Sequence, residues 1–361
     1  RGRTHADGGD FWRWREAMYA AAAVLDPDAY RSVAALVFGE MVRAGYTAVG
    51  EFHYLHHRPD GAAYPYHEME MALVDAARQV GLRLVLLDTC YLTGGIGREL
   101  TGVQRRFGDA TAEAWLTRWH ALGEALRALD AGAGEAGGLV TLGGAVHSVR
   151  AVPPEDLAWI AENFPADPPL HLHLSEQPDE NEACRRAYGL TPTALADKTG
   201  LLTPRLAAVH ATHLDPADIA LLGRSGASAV LCPTTEADLG DGIGPARALA
   251  DAGMRLAMGS DQQARVDPFV ELRALEASQR LALGRRGVLT PAELWDTGQV
   301  NGYRALGLAP PLSLGGPCDF LELDPDSPRT WGADPAQMLF AATGEDVVRT
   351  VVAGRIVAGE P

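Results

Sequence analysis

The chain has 361 residues, 47% of them hydrophobic and 22% charged, with a formal net charge of −16 from 31 Lys and Arg against 47 Asp and Glu. That length suffices for one barrel-sized core, with or without a small appendage, and needs no second full domain. The acidic balance disfavours nucleic acid and anionic membrane as partners, and no apolar run approaches the roughly 20 residues of a membrane span, so a soluble cytoplasmic protein is expected. Cys90, Cys184, Cys232 and Cys318 are widely spaced and form no Cys-x-x-Cys pair, which fits a reducing compartment and small buried hydrophobes. The sequence opens on Arg1, not methionine, and reads as processed, trimmed or partial.

Phe11-Trp12-Arg13-Trp14-Arg15-Glu16 is an aromatic and basic run that reads as the start of a packed helix. Asp28–Ala44 reads as another helix, stopped by Gly45. From Tyr46 onward, short aliphatic runs alternate with longer helical patterns, the mark of repeated βα units and a parallel sheet. Tyr46–Phe52, Arg83–Asp88, Leu139–Val146, Leu170–Leu174, Leu206–His210, Ala227–Cys232 and Arg255–Gly259 are the expected strands. Helices are expected between them over Tyr66–Val80, Ala110–Leu129, Pro154–Asn163 and Pro216–Arg224, with Asp215 and Thr290 as caps before prolines. The Gly-rich stretch Ala131–Gly138 lacks a strand–loop–helix phosphate pattern and reads as a loop.

After a helix expected over Pro291–Leu306 the texture changes. Cys318–Leu323 and Val347–Val357 are strand-like runs separated by Asp-Pro-Asp-Ser-Pro, which predicts a small β appendage over residues 309–361 behind a barrel over residues 1–308. An eight-unit barrel would then lack its first strand, because a helix stands ahead of the first visible one. The expected place for that strand is upstream of Arg1.

Three segments carry the chemistry, each at the end of an apolar run. In His171-Leu172-His173-Leu174-Ser175-Glu176 the two imidazoles share a strand face and the carboxylate falls just past the strand end. One of the two histidines could bind metal while Glu176 moves protons, although a core histidine beside a surface glutamate is the plainer reading of an isolated case. His210 closes a second strand and Asp261 follows a third, where a carboxylate can ligate a metal and take a proton from water. Three such coincidences at the C-terminal ends of parallel strands point to a metal-dependent hydrolytic site.

Arg150, after His147-Ser148-Val149, could fork onto a substrate carboxylate, with an ordinary surface ion pair as the alternative. His53, His56 and His57 offer three imidazoles at the end of the first visible strand, but a loop without a matching carboxylate gives them no metal assignment.

His173 with Glu176, His210 and Asp261 resemble the deaminase branch of the amidohydrolase superfamily. Phe11–Tyr19, Gly45–Tyr54, His147–Val152 and Thr235–Ile243 narrow the resemblance to the formimidoylglutamate deiminases, and it runs through nearly the whole chain. It implies a (β/α)8 barrel, similar to a TIM barrel, beside a small β-sandwich, and the zinc-dependent conversion of N-formimino-L-glutamate and water to N-formyl-L-glutamate and ammonia in histidine breakdown. It also implies His173 and Asp261 as zinc ligands, Glu176 and His210 as proton-handling residues, and Arg15, Tyr54, His147 and Arg150 as the binding residues of a dicarboxylate substrate. A homodimer is a further implication. The family takes two more ligands from a His-x-His pair, which has no counterpart ahead of Phe11, so zinc is expected to be weakly held or absent in this chain. Gln262-Gln263 after the metal Asp is a second, smaller departure. The competing readings are a related deaminase of another amidine or aminated ring, and an inactive partial chain.

Overall fold

The structure is a computed structural model that describes residues 11–132 and 138–360. Residues 1–10, which include the lone His5 ahead of Phe11, and residues 133–137 of the Gly-rich stretch lie outside the described residues. Two helices, α1 (Phe11–Val24) and α2 (Pro27–Ala44), precede β1 (Ala48–His53). The Asp26 side chain accepts the Ala29 N–H at 2.8 Å to start α2, and Gly45 ends it at φ 102°. A Cβ at Gly45 would lie 2.9 Å from Leu321 Cδ2, so both backbone and packing require glycine there.

The chain then alternates α3 (Glu68–Val80), β2 (Arg83–Cys90), α4 (Ala112–Ala131), β3 (Val140–Ser148), α5 (Pro154–Asn163) and β4 (Leu170–Leu174). It continues through α6 (Pro178–Tyr188), α7 (Pro192–Lys198), β5 (Leu206–His210), α8 (Pro216–Ser225) and β6 (Ser228–Leu231). The last repeats hold α9 (Pro233–Leu239), α10 (Ala246–Asp251), β7 (Arg255–Met258) and α11 (Pro268–Leu283). The seven strands form one parallel sheet in sequential order. Strand β2 is buried at every position, as a central parallel strand covered on both faces must be.

The sheet curls into a barrel wall. Phe52 of β1 stacks on His173 of β4 at 4.0 Å between ring centroids and packs against the cluster of Val209, Val230 and Ala257 from β5, β6 and β7. Its edge strands β1 and β7 both border an apolar cavity of about 460 Å3. In β4, Leu170, Leu172 and Leu174 join the main core, while His171 and His173 occupy the opposite face.

Two expected elements are corrected. Pro291–Leu306 is two helices, α12 (Pro291–Gly298) and α13 (Val300–Ala305), because Gln299 between them takes a non-helical backbone at φ −122°, ψ −92°. Val347–Val357 is a hairpin, β9 (Val347–Val352) and β10 (Arg355–Gly359), reversed at Ala353 and Gly354, whose φ values are 51° and 77°. With β8 (Phe320–Leu323) these strands form an antiparallel sheet in the order β10-β9-β8. Thr350 Oγ1 donates to Val42 O at 2.7 Å and attaches the small sheet to α2. Arg83 at the start of β2 grips Asp319 through Nε at 2.7 Å and Nη2 at 3.0 Å, and Tyr303 donates its hydroxyl to the same carboxylate at 2.7 Å. Among the described residues, no helix is long and apolar enough to cross a membrane. Cys90, Cys184 and Cys232 are buried, Cys318 is exposed, and all four are free.

Candidate active site

A cavity of about 790 Å3 opens where the parallel strands end, lined by Arg15, Tyr54, His147, Arg150, His173, Glu176, His210 and Asp261. The eight residues that the resemblance implies for the site all line it, whereas His171 does not. The backbone turns sharply at this rim: Ser175, His210, Ala211, Asp261 and Gln263 all have positive φ, between 38° and 67°. Non-glycine residues held this way store roughly 1–3 kcal/mol each, which the surrounding core must offset, and they aim side chains that an ordinary strand end would send elsewhere.

The two histidines of β4 are told apart by their contacts. His171 Nε2 lies 2.8 Å from Ala305 O, and burial lowers its pKa to about 4, so it is a neutral core histidine. His173 Nδ1 lies 2.9 Å from His147 O, a group that can only accept. Nδ1 therefore carries the proton, and burial together with His147 and His210 keeps the ring neutral, leaving the Nε2 lone pair as a donor for a metal. The carbonyl that fixes this tautomer is the kind of outer partner that metal-binding histidines use.

His210 stacks on His173 at 5.5 Å and stands among carboxylates. Its Nε2 is 3.8 Å from Glu176 Oε1 and 3.9 Å from Asp261 Oδ2, and its Nδ1 is 3.6 Å from Glu236 Oε1. Burial disfavours its charge, but Glu176, Glu236 and Asp261 outweigh that and raise its pKa to about 10. Asp261 is pushed up to about 6 by burial and by Glu176 and Glu236. Glu176 moves the other way: against burial, His210 and Arg150 hold its carboxyl below the usual range. Neighbouring carboxylates thus take opposite tendencies, one toward accepting a proton and one toward staying ionised.

Arg150 is not a surface ion pair. Its Nη2 donates to Glu176 Oε2 at 2.9 Å inside the cavity, and its Nε lies 3.7 Å from Glu180 Oε2. The His147 ring meets Tyr91, Tyr54 and His173 edge-on at 4.6, 5.2 and 5.2 Å. Arg15 adds its guanidinium 5.5 Å from the Tyr19 ring. Gln262 and Gln263 line the neighbouring apolar cavity, where Gln262 Nε2 donates to Asp238 Oδ2 at 2.8 Å and the Gln263 N–H donates to Ser260 O at 2.8 Å.

Sequence reading missed three residues at this site. Glu236, buried in α9, accepts the Cys232 N–H at 2.9 Å and faces His210; its only signal was its place in the Thr235–Ile243 motif. Glu180 sits one helical turn after Glu176, with neither carboxylate oxygen hydrogen-bonded, and burial pushes its pKa up to about 7. Tyr91 follows β2 with no distinguishing pattern around it.

His173 Nε2 and the Asp261 carboxylate line the same cavity and are of the nitrogen and oxygen donor types that a divalent cation takes. His210, Cys232 and Asp261 each bring a donor atom within 4.8 Å of the others. Burial and Asp261 push the Cys232 thiol well up, which makes it a poor ligand.

A barrel with imidazoles and carboxylates gathered at its strand ends is the architecture of a metal-dependent hydrolase, and the comparisons agree. The profile of the amidohydrolase family matches residues 2–357, and the chain belongs to that family. It is a hydrolase acting on C–N bonds. The formimidoylglutamate deiminase of Pseudomonas aeruginosa is 38% identical over 359 residues, covering 96% of this chain and 77% of that protein. The 5-methylthioadenosine/S-adenosylhomocysteine deaminase of Halobacterium salinarum is 29% identical over 362 residues, covering 98% of this chain and 77% of that protein. Among solved structures, an amidohydrolase from Brucella melitensis superposes with a TM-score of 0.88 at 33% identity, covering 98% of this chain and 79% of that one.

Proposed function

We propose that this chain hydrolyses N-formimino-L-glutamate to N-formyl-L-glutamate and ammonia. The observation that carries the reading is the buried Arg150 guanidinium, which shares one cavity with Arg15 and opens onto the His173, Glu176, His210 and Asp261 cluster in a protein of net charge −16. Two cations lining one cavity match two carboxylates on a substrate. An uncharged nucleoside, such as a methylthioadenosine deaminase takes, has no use for them.

His173 and Asp261 would hold a divalent ion such as zinc, which when bound supplies Lewis acidity and activates water. Around it, Asp261 accepts the proton of the attacking water, in keeping with its raised affinity for protons. His210 donates a hydrogen bond to the oxygen as the formimino carbon becomes tetrahedral. Glu176 takes that proton from Asp261 to the formimino nitrogen, then carries the remaining proton of the added oxygen to the same nitrogen as the C=O bond forms, the C–N bond breaks and ammonia leaves. A substrate carboxylate entering the Arg150 fork displaces Glu176 Oε2 from it, so that binding releases the carboxylate that the chemistry needs.

Ammonia release from N-formimino-L-glutamate with added zinc, measured beside methylthioadenosine and an uncharged formamidine, tests the reading. Turnover of the dicarboxylate alone is expected. Preference for the nucleoside would overturn it.

A further inference from the structure

Tertiary structure supplies the carboxylate that the three-histidine segment lacks in sequence. Glu70, from the first turn of α3, places Oε1 2.8 Å from His56 Nδ1 and 3.4 Å from His53 Nε2. The two rings stand nearly perpendicular, 83° apart with centroids at 4.8 Å. In a tetrahedral ion site with bonds of about 2.0–2.1 Å, neighbouring donor atoms lie about 3.4 Å apart; the His53–Glu70 separation matches this, while His56 and Glu70 stand at hydrogen-bond distance and would have to part by about 0.6 Å to admit an ion. All three side chains are buried, with His53 1%, His56 2% and Glu70 1% exposed. His56 and Glu70 also line a separate cavity of about 430 Å3, none of whose lining residues borders the catalytic one.

Each imidazole is oriented by its other nitrogen. His56 Nε2 lies 3.1 Å from Thr89 O, which can only accept, so that nitrogen carries a proton. Two lone pairs cannot face each other at 2.8 Å, so either a second proton or a metal ion must mediate between Nδ1 and the Glu70 oxygen. His53 Nδ1 is engaged by the Tyr30 hydroxyl at 3.3 Å, while its Nε2, facing Glu70, has no hydrogen-bond partner. Ring nitrogens tied to a carbonyl and a hydroxyl, with the opposite nitrogens converging on one carboxylate, have the outer support that metal-ligating histidines have.

Charge points the same way. Arg118 pairs with Asp88 at 2.6 Å and Asp109 at 2.9 Å, and reaches Glu70 Oε1 only at 3.3 Å. Three carboxylates against one guanidinium leave two negative charges in this buried network, the charge one divalent ion would neutralise.

We propose that His53, His56 and Glu70 form a second divalent-metal site, independent of the catalytic centre, with three protein donors and a fourth position for water. The nitrogen-rich donor set selects a borderline ion such as Zn2+ or Co2+ over Mg2+ or Ca2+. It would clamp the segment after β1 onto α3.

The test uses the full chain carrying His173→Ala and Asp261→Ala, which removes the catalytic donors. After chelation and dialysis it is titrated with Co2+, following bound metal by elemental analysis and geometry by visible ligand-field absorption. About one equivalent with a tetrahedral or five-coordinate spectrum is expected, together with a rise in Tm on adding Zn2+. Adding Glu70→Gln or, separately, His56→Gln should abolish both responses; both substitutions keep side-chain size, and far-UV circular dichroism verifies folding. No bound Co2+ in the catalytic-site variant overturns the proposal and assigns the balancing charge to protons on the two imidazoles. Binding that survives both further substitutions also overturns it.

Discussion

Arg150 Nη2 and Glu176 Oε2 lie 2.9 Å apart in the wall of one cavity, joining a residue proposed to bind substrate to one proposed to handle protons. The pair is almost fully enclosed, with side-chain exposures of 14% and 8%. Neither partner can be removed without leaving the other's charge poorly compensated. Replacing Arg150 with Met is therefore expected to raise KM for N-formimino-L-glutamate about 100-fold, the effect of losing roughly 2–3 kcal/mol of charged hydrogen bonding, with a smaller fall in kcat. Steady-state ammonia release measures both, and an unchanged KM would remove Arg150 from the binding set.

Glu176→Gln keeps the shape and the acceptor for Arg150 but cannot take up or release a proton. A fall in kcat of about 10^2–10^4-fold is expected, with metal content unchanged. Kinetics and elemental analysis on one sample check it. Loss of zinc along with activity would recast Glu176 as a ligand.

Glu271 governs part of the pH dependence of stability. Burial pushes its carboxyl up to about 7, only partly offset by hydrogen bonds from Thr234 Oγ1 at 2.6 Å and the Thr234 N–H at 3.0 Å. Unfolded, it titrates near about 4.3, so between the two values the folded chain binds more protons and stability falls as pH rises through that window. Glu271→Gln, which can keep both partners, should raise Tm near pH 8 and flatten its decline from about pH 4.5 to 7. Calorimetry across that range gives the slope; a parallel profile in the variant would show that the carboxyl is not the cause.

Asp319 joins the small sheet to the barrel. It accepts from Arg83, from the Tyr303 hydroxyl and from the Ala353 N–H at 2.6 Å, and its side chain is fully buried. Asp319→Ala leaves the Arg83 guanidinium without its counter-ion and should cost about 3–5 kcal/mol by urea unfolding. A cost below about 1 kcal/mol would mean that water replaces the carboxylate, as at an exposed pair.

Much of this molecule was legible before any coordinates. The βα alternation, the seven strand positions and the gathering of His173, His210 and Asp261 at strand ends follow from hydrophobic periodicity and the two-residue repeat of a strand. The errors were local and physical. Gln299 breaks a helix whose apolar pattern continues across it, and Ala353 adopts a left-handed conformation that composition alone does not announce. Glu236, Glu180 and Tyr91 carry no motif of their own; they matter because of what they face.

The sequence by itself determined the sheet, the kind of chemistry and the strand ends that bear it, because these depend on neighbours a few residues apart. Tertiary structure alone decided which groups meet. The strand face shared by His171 and His173 is a matter of sequence, but only Ala305 O at one ring and His147 O at the other make one a core residue and the other a donor to the cavity. Likewise His53 and His56, at and just past the end of β1, acquired a carboxylate only when α3 brought Glu70 beside them. Such meetings depend on the packing of elements distant in sequence, which leaves no local periodicity to read.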